Sequence, residues 1–177
     1  MNVPEMNQPG TGGGLRYITE ESTPDMVNQE LSHSCQVACA RQLLKDAGVL
    51  VSEEDLLSRI GYLEGWGTTA DATERALDAL HPRLGYSGGP VDPASVAILF
   101  RRDPWIASLR TDHGTVHAVI VDSLQGDLVH VRDPWGTAGP GSGTGTRATI
   151  ALADFMTHWD YALNNVGIPN RFETGGQ

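Results

Sequence analysis

Four residues in the 177-residue sequence have the types and the order that nucleophilic catalysis requires. Gln29 precedes Cys35 by six positions, and much later in the chain His117 is followed by Asp133. A thiol that attacks a carbonyl carbon needs a base to remove its proton, a partner that orients the base and a donor for the oxyanion. The sequence therefore predicts a nucleophile, a base, an orienting carboxylate and an oxyanion donor: Cys35, His117, Asp133 and Gln29.

The predicted nucleophile begins a helix. The segment that starts at Cys35 is amphipathic and stops at Gly48, a residue type that is common just after helix C-termini. Its apolar positions are Val37, Ala38, Ala40, Leu43 and Leu44. The positive end of the helix dipole favours the thiolate, and the backbone N–H of Cys35 would join the Gln29 amide in holding an oxyanion.

The predicted base and its partner lie on a hairpin, "HAVIVDSLQGDLVHVRDPWG", residues 117–136. Two alternating apolar runs flank a turn near Gln125 and Gly126. An odd-sized loop or a bulge would set His117 directly across from Asp133, with Cβ atoms about 5 Å apart. The carboxylate would then accept from one imidazole nitrogen and leave the other free for a thiol.

The elements that must position these residues form an α+β pattern. Three more helices follow the first, and short β-branched strands and a closing helix follow them. The helical segments are "VSEEDLLSRIG", "GTTADATERALDAL", "VDPASVAILFRR" and, last, "LADFMTHWDYAL", and the strands are "PWIASLR", "VHAVIVD", "DLVHVRD" and "RATIAL". The sequence predicts a disordered lead-in over residues 1–14, a single domain over 15–165 and a C-terminal tail over 166–177.

Composition narrows the classes of partner. The chain has 22 acidic and 12 basic residues, a net charge of -10, which argues against nucleic acid or an anionic membrane as the main partner. No apolar run approaches the roughly 20 residues of a membrane span, so no integral membrane segment is predicted. The N-terminus lacks the features of a secretory signal. We therefore expect a cytoplasmic protein, or one exported by a route without a cleavable signal peptide.

Gln-x5-Cys at a helix start, then His on a strand and Asp after the next strand, resembles the papain-like cysteine peptidases. More narrowly it is similar to the bacterial branch that includes double-glycine leader peptidases and stand-alone papain-fold proteins and effectors. The matching segments are "QELSHSCQVACARQLL", "VHAVIVDSLQGDLVHVRDPWG" and "LADFMTHW". Two features depart from the branch: Gln36 follows the nucleophile where a glycine is common, and the membrane segment of a fused transporter is missing.

The resemblance implies a papain-like fold, with an N-terminal helical half that carries the cysteine helix and a C-terminal antiparallel sheet. It implies a thiol hydrolase that cleaves a peptide or isopeptide bond through an acyl-enzyme, with Cys35, His117, Asp133 and Gln29 in the roles given above. The implied partners are a protein or peptide substrate and an inhibitor or immunity protein. No cofactor is implied.

Other residues compete for these roles. Cys39, one helical turn after Cys35, is interpreted as core. His113 and His130 are alternatives to His117, but His113 precedes the strand in a turn, and strand alternation puts His130 on the face opposite Asp133. Asp122 could replace Asp133 but lies at the far end of its strand. Trp135 either shields the His–Asp pair from water or packs at the sheet edge.

No metal or phosphate site is predicted. His33, Cys35 and Cys39 lack the fourth ligand and the paired spacing that are typical of zinc sites. The glycine-rich segment 136–146 has no GK[ST] and opens no helix, so it is interpreted as a flexible loop beside the site.

Two further functions stay open. The same thioester chemistry on a glutamine side chain would make the protein a deamidase or a transglutaminase-type effector or toxin. The domain could also bind extended peptides in a papain-like cleft without turnover, as a recognition module.

Overall fold

The fold is built on one antiparallel sheet. The protein is described from a computed structural model, which covers residues 15–61, 68, 70–82, 86–89, 96–101, 104–112, 114–161 and 166–169. Its strands are β1 (Tyr17–Val27), β2 (Tyr86–Gly89), β3 (Trp105–Arg110), β4 (Val116–Gln125), β5 (Leu128–Asp133), β6 (Thr144–Ala151) and β7 (Val166–Pro169). Their order in the sheet is β1-β6-β5-β4-β3-β7-β2, and each neighbouring pair is antiparallel.

Five helices accompany the sheet in the described part of the chain. They are α1 (Cys35–Asp46), α2 (Glu53–Ile60), α3 (Ala70–Leu80), α4 (Val96–Leu99) and α5 (Leu152–Tyr161). The ends of α2 follow from the sequence, because the Ser52 hydroxyl accepts from the Asp55 N–H and Gly61 supplies a left-handed C-terminal residue with φ 80°. None of the helices in the described residues is long and apolar enough to cross a membrane.

Apolar cores cover both faces of the sheet. Helix α1 packs against one face, and residues of α2 and α3 join it in a core that includes Ile106, Ala118 and Ile120 of the sheet. The other face carries an aromatic cluster that joins α5 to the sheet. That cluster consists of Phe100, Trp105, Phe155 and Trp159. Burial on both faces explains why β3 and β4 read as nearly continuous apolar runs.

The predicted α+β class is confirmed, and so are the four predicted strands, which are β3 to β6. The helices do not simply precede the sheet, however, because β1 comes before α1 and β2 separates α3 from α4. Strand β1 was missed because its charged residues and Pro24 hide the alternation that an edge strand needs. Along this strand only Thr23 and Met26 are fully buried.

The segment interpreted as a C-terminal tail begins with a strand. Residues 166–169 form β7, which pairs with β3 on one side and β2 on the other. A run of four residues is too short for its sequence to predict a strand. These residues are extended because they pair with β2 and β3. The predicted lead-in over residues 1–14 and the rest of the tail lie outside the described residues, as do Asp92 and Pro93, the predicted start of α4.

Candidate active site

Cys35 is the first residue of α1, as the sequence predicts. The residue is buried and 9% exposed, whereas His117 and Asp133 are not exposed at all. The loop before it is closed by Ser34, whose hydroxyl donates to the Leu31 carbonyl and accepts from the Leu31 N–H. Cys35 therefore follows a turn that is fixed by hydrogen bonds, and as a residue it is slightly more exposed than the histidine and the aspartate.

His117 and Asp133 form a direct pair. The His117 Nε2 atom lies 2.7 Å from Asp133 Oδ1, and both side chains are completely buried. With Nε2–H donating to the carboxylate, the imidazole is held in one tautomer and its Nδ1 is left as the second functional atom. Nδ1 is buried and makes no hydrogen bond of ordinary geometry within the described residues.

The register that produces this pair differs from the predicted one. The strands pair Gln125 with Leu128 at the turn and Ile120 with Arg132 at the far end, with a register shift between residues 121 and 123. Continued by one pair, this register sets Val119, not His117, opposite Asp133. The two side chains are therefore diagonal neighbours on one face, a separation that longer side chains bridge. The predicted direct opposition is wrong, although the two residues do meet.

Asp133 accepts two hydrogen bonds besides the one from His117. The backbone N–H of Trp135 donates to Oδ1 at 2.8 Å, and the Tyr17 hydroxyl donates to Oδ2 at 2.5 Å. Burial alone would raise the pKa of Asp133, but the charge and hydrogen bond of His117 outweigh it, and the other two donors act in the same direction. The pKa of the carboxyl is therefore lowered from its ordinary value of 3.8.

The imidazole of His117 is held in its charged form. Burial alone would lower the pKa of His117, but the charge of Asp133 and its hydrogen bond raise it to about 10. Cys35 adds a smaller contribution of the same sign, both as a hydrogen-bond partner and as a charge. Because Nε2 is used by Asp133, the influence of the sulfur reaches the ring on its Nδ1 side.

The two cysteines bond to the backbone of the same residue of β4. The Ala118 N–H donates to Cys35 Sγ at 3.4 Å, and Cys39 Sγ donates to the Ala118 carbonyl at 3.5 Å. A donor aimed at the first sulfur stabilises negative charge there. Cys39 lies in the core as predicted, and burial raises the pKa of its thiol well above the ordinary value. The backbone of Ala118 therefore donates to one sulfur and accepts from the other, which favours negative charge on Cys35 Sγ and the protonated thiol of Cys39.

Gln29 lies beside the start of α1. Its Nε2 donates to the Leu31 carbonyl at 2.7 Å, and its Oε1 is buried without a partner among the described residues. The backbone is fixed from both sides, since the Gln29 N–H donates to Pro134 and the Gln29 carbonyl accepts from Gly141. An amide nitrogen carries two hydrogens, so one N–H of Nε2 remains for an acceptor near the helix start.

The glycine-rich segment is tied down rather than free. The Asn28 amide donates to the Pro134, Trp135 and Gly139 carbonyls, and its Oδ1 accepts from the backbone N–H groups of Ser142 and Gly143. Asn28 is the residue before Gln29, and its hydrogen bonds therefore hold this loop beside Gln29. The loop does lie beside the site, as the sequence predicts, but its inner part is held by hydrogen bonds to a single buried amide.

A buried carboxylate supports the loop between Gln29 and Cys35 from behind. Both oxygens of Glu53, the first residue of α2, accept from the Glu30 N–H, at 3.1 and 3.2 Å. Burial raises the pKa of Glu53, while hydrogen bonds from Ser34 and from the Glu30 backbone oppose that rise. Helix α2 thus fixes the backbone from which the predicted oxyanion donors project.

The competing candidates are not brought to the pair. His130 pairs with Thr149 three positions before Asp133 on an unshifted ladder, which puts it on the opposite face. Asp122 binds the guanidinium of Arg132 through both of its oxygens. His113 lies outside the described residues, within which no cluster of three His, Cys, Asp or Glu side chains is arranged to hold a metal.

Several contributors to the site were missed in the sequence. Two are backbone N–H groups, which carry no side-chain signal, and the others are ordinary polar residues in segments without a motif. They are the N–H groups of Ala118 and Trp135 and the side chains of Tyr17, Asn28 and Glu53. Of these residues, only Asn28 could have been suspected from the sequence, because it is next to the predicted site residue Gln29.

The fold is that of the papain-like cysteine peptidases, in the form found in double-glycine peptidase domains. No family model and no curated protein matches the sequence, so this likeness comes from three-dimensional structure. The predicted papain-like architecture is thereby confirmed.

Three solved structures illustrate the likeness. A double-glycine-motif protease from an AMS/PCAT transporter, solved in complex with the leader peptide, superposes with a TM-score of 0.59 at 16% identity and covers 87% of this chain and 94% of its own. The peptidase domain of Streptococcus ComA, a bifunctional ABC transporter of a quorum-sensing pathway, gives a TM-score of 0.59 at 20% identity, over 82% and 98%. A putative C39-like peptidase from Bacillus anthracis gives 0.61 at 14% identity, over 86% and 98%.

Proposed function

We propose that the protein is a cysteine peptidase that cleaves a peptide or isopeptide bond through an acyl-enzyme. One observation carries this proposal: a completely buried His117–Asp133 pair, 2.7 Å between Nε2 and Oδ1, adjoins the Cys35 thiol, which interacts with the His117 ring and bonds the N–H of the next residue, Ala118. Burying an ion pair costs desolvation free energy that apolar packing would avoid. A catalytic role for the oriented imidazole beside the sulfur explains why a buried ion pair is present here in spite of that cost.

The first half of the reaction starts from a thiolate, because in the proposed resting site the proton of Cys35 Sγ already lies on His117 Nδ1, in keeping with the charged imidazole described above. The thiolate then attacks the carbonyl carbon, a C–S bond forms, and the carbonyl oxygen takes up the negative charge. The second N–H of Gln29 Nε2 and the backbone N–H of Cys35 are the donors proposed for this oxyanion. His117 gives its proton to the amine nitrogen as the C–N bond breaks, and the amine leaves.

In the second half a water molecule replaces the amine. His117 Nδ1 takes a proton from the water as its oxygen bonds to the acyl carbon. The C–S bond breaks, the acid leaves, and the thiolate–imidazolium pair is restored. Asp133 keeps Nε2–H bonded throughout, so that the same tautomer of His117 acts in both halves.

A peptide is the proposed substrate class, supported by the leader peptide bound to the AMS/PCAT protease. A glutamine side chain could enter the same thioester chemistry, and a peptide could bind without turnover. These alternatives predict different products, so one set of measurements separates all three.

The decisive experiment compares two alanine variants of neighbouring cysteines. Cys35→Ala should abolish labelling by an electrophilic thiol probe at neutral pH, whereas Cys39→Ala should retain it, because Cys39 is enclosed in the core and donates to a carbonyl. The site of labelling is mapped by mass spectrometry of the digested protein.

A peptide library then identifies the reaction. Chain scission by the wild type, lost in Cys35→Ala, supports the peptidase. Conversion of glutamine to glutamate without scission would replace it by the deamidase. Saturable peptide binding together with no labelling of either cysteine would contradict catalysis and leave a binding module.

A further inference from the structure

Strand β1 sends a side chain into the site from the edge of the sheet. The Tyr17 hydroxyl donates to Asp133 Oδ2 at 2.5 Å, on the carboxylate oxygen that His117 does not use. Glu20, on the same strand, bonds the hydroxyl of Thr146 at 2.8 Å, and Thr146 is the residue paired with Asp133 across β5 and β6. Two β1 side chains therefore reach the surroundings of the carboxylate.

A break in the β1–β6 register makes this possible. Tyr17 pairs with Ile150, but Thr19 pairs with Thr149 and Glu20 with Ala148, so residue 18 is inserted as a bulge. A regular strand would turn residues 17 and 20 to opposite faces, because they are an odd number of positions apart. With the bulge both face the same side as Ile150, and Ile18 is left 55% exposed.

We propose that Tyr17 is a positioning residue for the reaction: its hydroxyl holds Asp133 in the ionised state and orientation that His117 requires. This inference rests on the proposed function. Asp133 Oδ1 is bonded by His117 and by the Trp135 N–H, which leaves Oδ2 to Tyr17 alone among the described residues. Without that hydroxyl, Oδ2 would be a buried anionic oxygen with no donor.

The charged and titratable groups around this contact come from four elements. They are Glu20 of β1, His117 of β4, Arg132 of β5, and Cys35 and Cys39 of α1. Burial, followed by the nearby Asp133 charge, raises the pKa of Tyr17 well above its ordinary value, so the hydroxyl stays neutral and acts as a donor over the whole working range. The pKa of Glu20 is raised to about 7, chiefly by burial, and its titration therefore has to be separated from that of Asp133.

The test measures the rate of Cys35 alkylation by iodoacetamide from pH 2.5 to 9 in Tyr17→Phe, a range that includes the acid limb of the wild type, because the pKa of Asp133 lies below its ordinary 3.8. Loss of a hydrogen bond to a carboxylate raises its pKa, so the acid limb of the profile should move to higher pH by about one unit, a tenfold change in the protonation equilibrium. Thr19→Val is the matched control, because it deletes a hydroxyl of the same strand that bonds only Thr149 in the described residues. Its profile should overlay that of the wild type.

A second variant tests the opposite sign. Site-specific 3-fluorotyrosine at position 17 keeps the ring and strengthens the donor, so the acid limb should move to lower pH, and this arm decides the matter if Tyr17→Phe does not fold. Unmoved acid limbs in both variants, or a rate loss in Tyr17→Phe that is equal at every pH, would overturn the positioning role. If wild-type Cys35 reacts at pH 6.5 no faster than glutathione, the proposed function falls too, an outcome distinct from a fast wild type with unmoved variants.

Discussion

Replacing Asp133 by asparagine removes one charge at the centre of the site and almost no volume. In the wild type the carboxylate holds the pKa of His117 at about 10, so at pH 6.5 the ring is charged. In Asp133→Asn burial acts without an opposing charge, and the pKa of His117 should fall below its ordinary 6.5. The imidazolium that stabilises a thiolate is then lost.

The expected size of the effect follows from thiol ionisation. A thiol without a charged partner ionises near pH 8.5, so at pH 6.5 only about 1% of it is thiolate. If the proposed thiolate–imidazolium pair is the resting state of the wild type, alkylation of Cys35 in Asp133→Asn should therefore be about 100-fold slower at pH 6.5. The difference should shrink as pH rises and nearly vanish above about pH 9, where such a thiol ionises unaided.

The assay is the second-order rate constant for iodoacetamide, with the modified residue mapped by mass spectrometry. Asp122→Asn is the control, because Asp122 is a partly buried carboxylate of the same hairpin that bonds Arg132. It should lose stability and keep the wild-type profile. Equal rates for wild type and Asp133→Asn at pH 6.5 would refute the reasoning, and a deficit that persists unchanged to pH 9 would assign the effect to packing instead of charge.

Three further predictions follow from the same contacts. Gln29→Ala should lower peptide turnover by 10²–10³-fold and leave iodoacetamide labelling unchanged, since alkylation forms no oxyanion; equal losses in both assays would contradict the proposed donor. Because the pKa of Glu20 is raised from 4.5 to about 7, its burial increasingly destabilises the folded state as pH rises between these values, and the full penalty is present above about pH 7. Glu20→Gln should therefore raise the melting temperature at pH 8 but not at pH 5, and no gain at pH 8 would count against this. His117 has a raised pKa, so its pairing should stabilise the wild type fully below pH 6.5 and lose this contribution as pH rises through about 10, measured by urea unfolding against Asp133→Asn.

Local chemistry predicted the elements well. Cys35 begins α1, and Gly48 follows its end with φ 83°, since helix starts and stops depend on a few neighbouring residues. The strands β3 to β6 were recognised because buried positions in a sheet are occupied mainly by apolar residues, which produces short apolar runs or alternation in the sequence. The types of the predicted site residues were also readable, because a reactive thiol, an imidazole and a carboxylate in order form an uncommon set.

Longer-range features escaped the sequence. The register of β4 and β5 depends on a shift near Asp122 that no residue type announces, and the predicted opposition of His117 and Asp133 was therefore wrong in detail. Strand β1 exists because β6 offers it an edge, and its contact with the site passes through a bulge. Such pairings depend on residues more than a hundred positions apart, which local propensity does not register.

Hydrogen bonds from the segments that carry the four predicted site residues converge at one junction, the point where β4 and β5 stop pairing. Beyond Ile120 and Arg132 the backbone of Ala118 is no longer used by β5, and its N–H and carbonyl bond the sulfurs of α1. On the other strand Asp133 turns to His117, and the carbonyl of the next residue accepts from the Gln29 N–H.

That next residue is Pro134, which has no N–H and could not extend the ladder. If the β4–β5 ladder continued, the backbone groups of Ala118 and Pro134 would be used for hydrogen bonds within the sheet. They could then no longer bond the sulfurs of α1 and the Gln29 N–H. The early end of one strand pair is thus the structural condition for the site, and the sequence signals it only through a single proline.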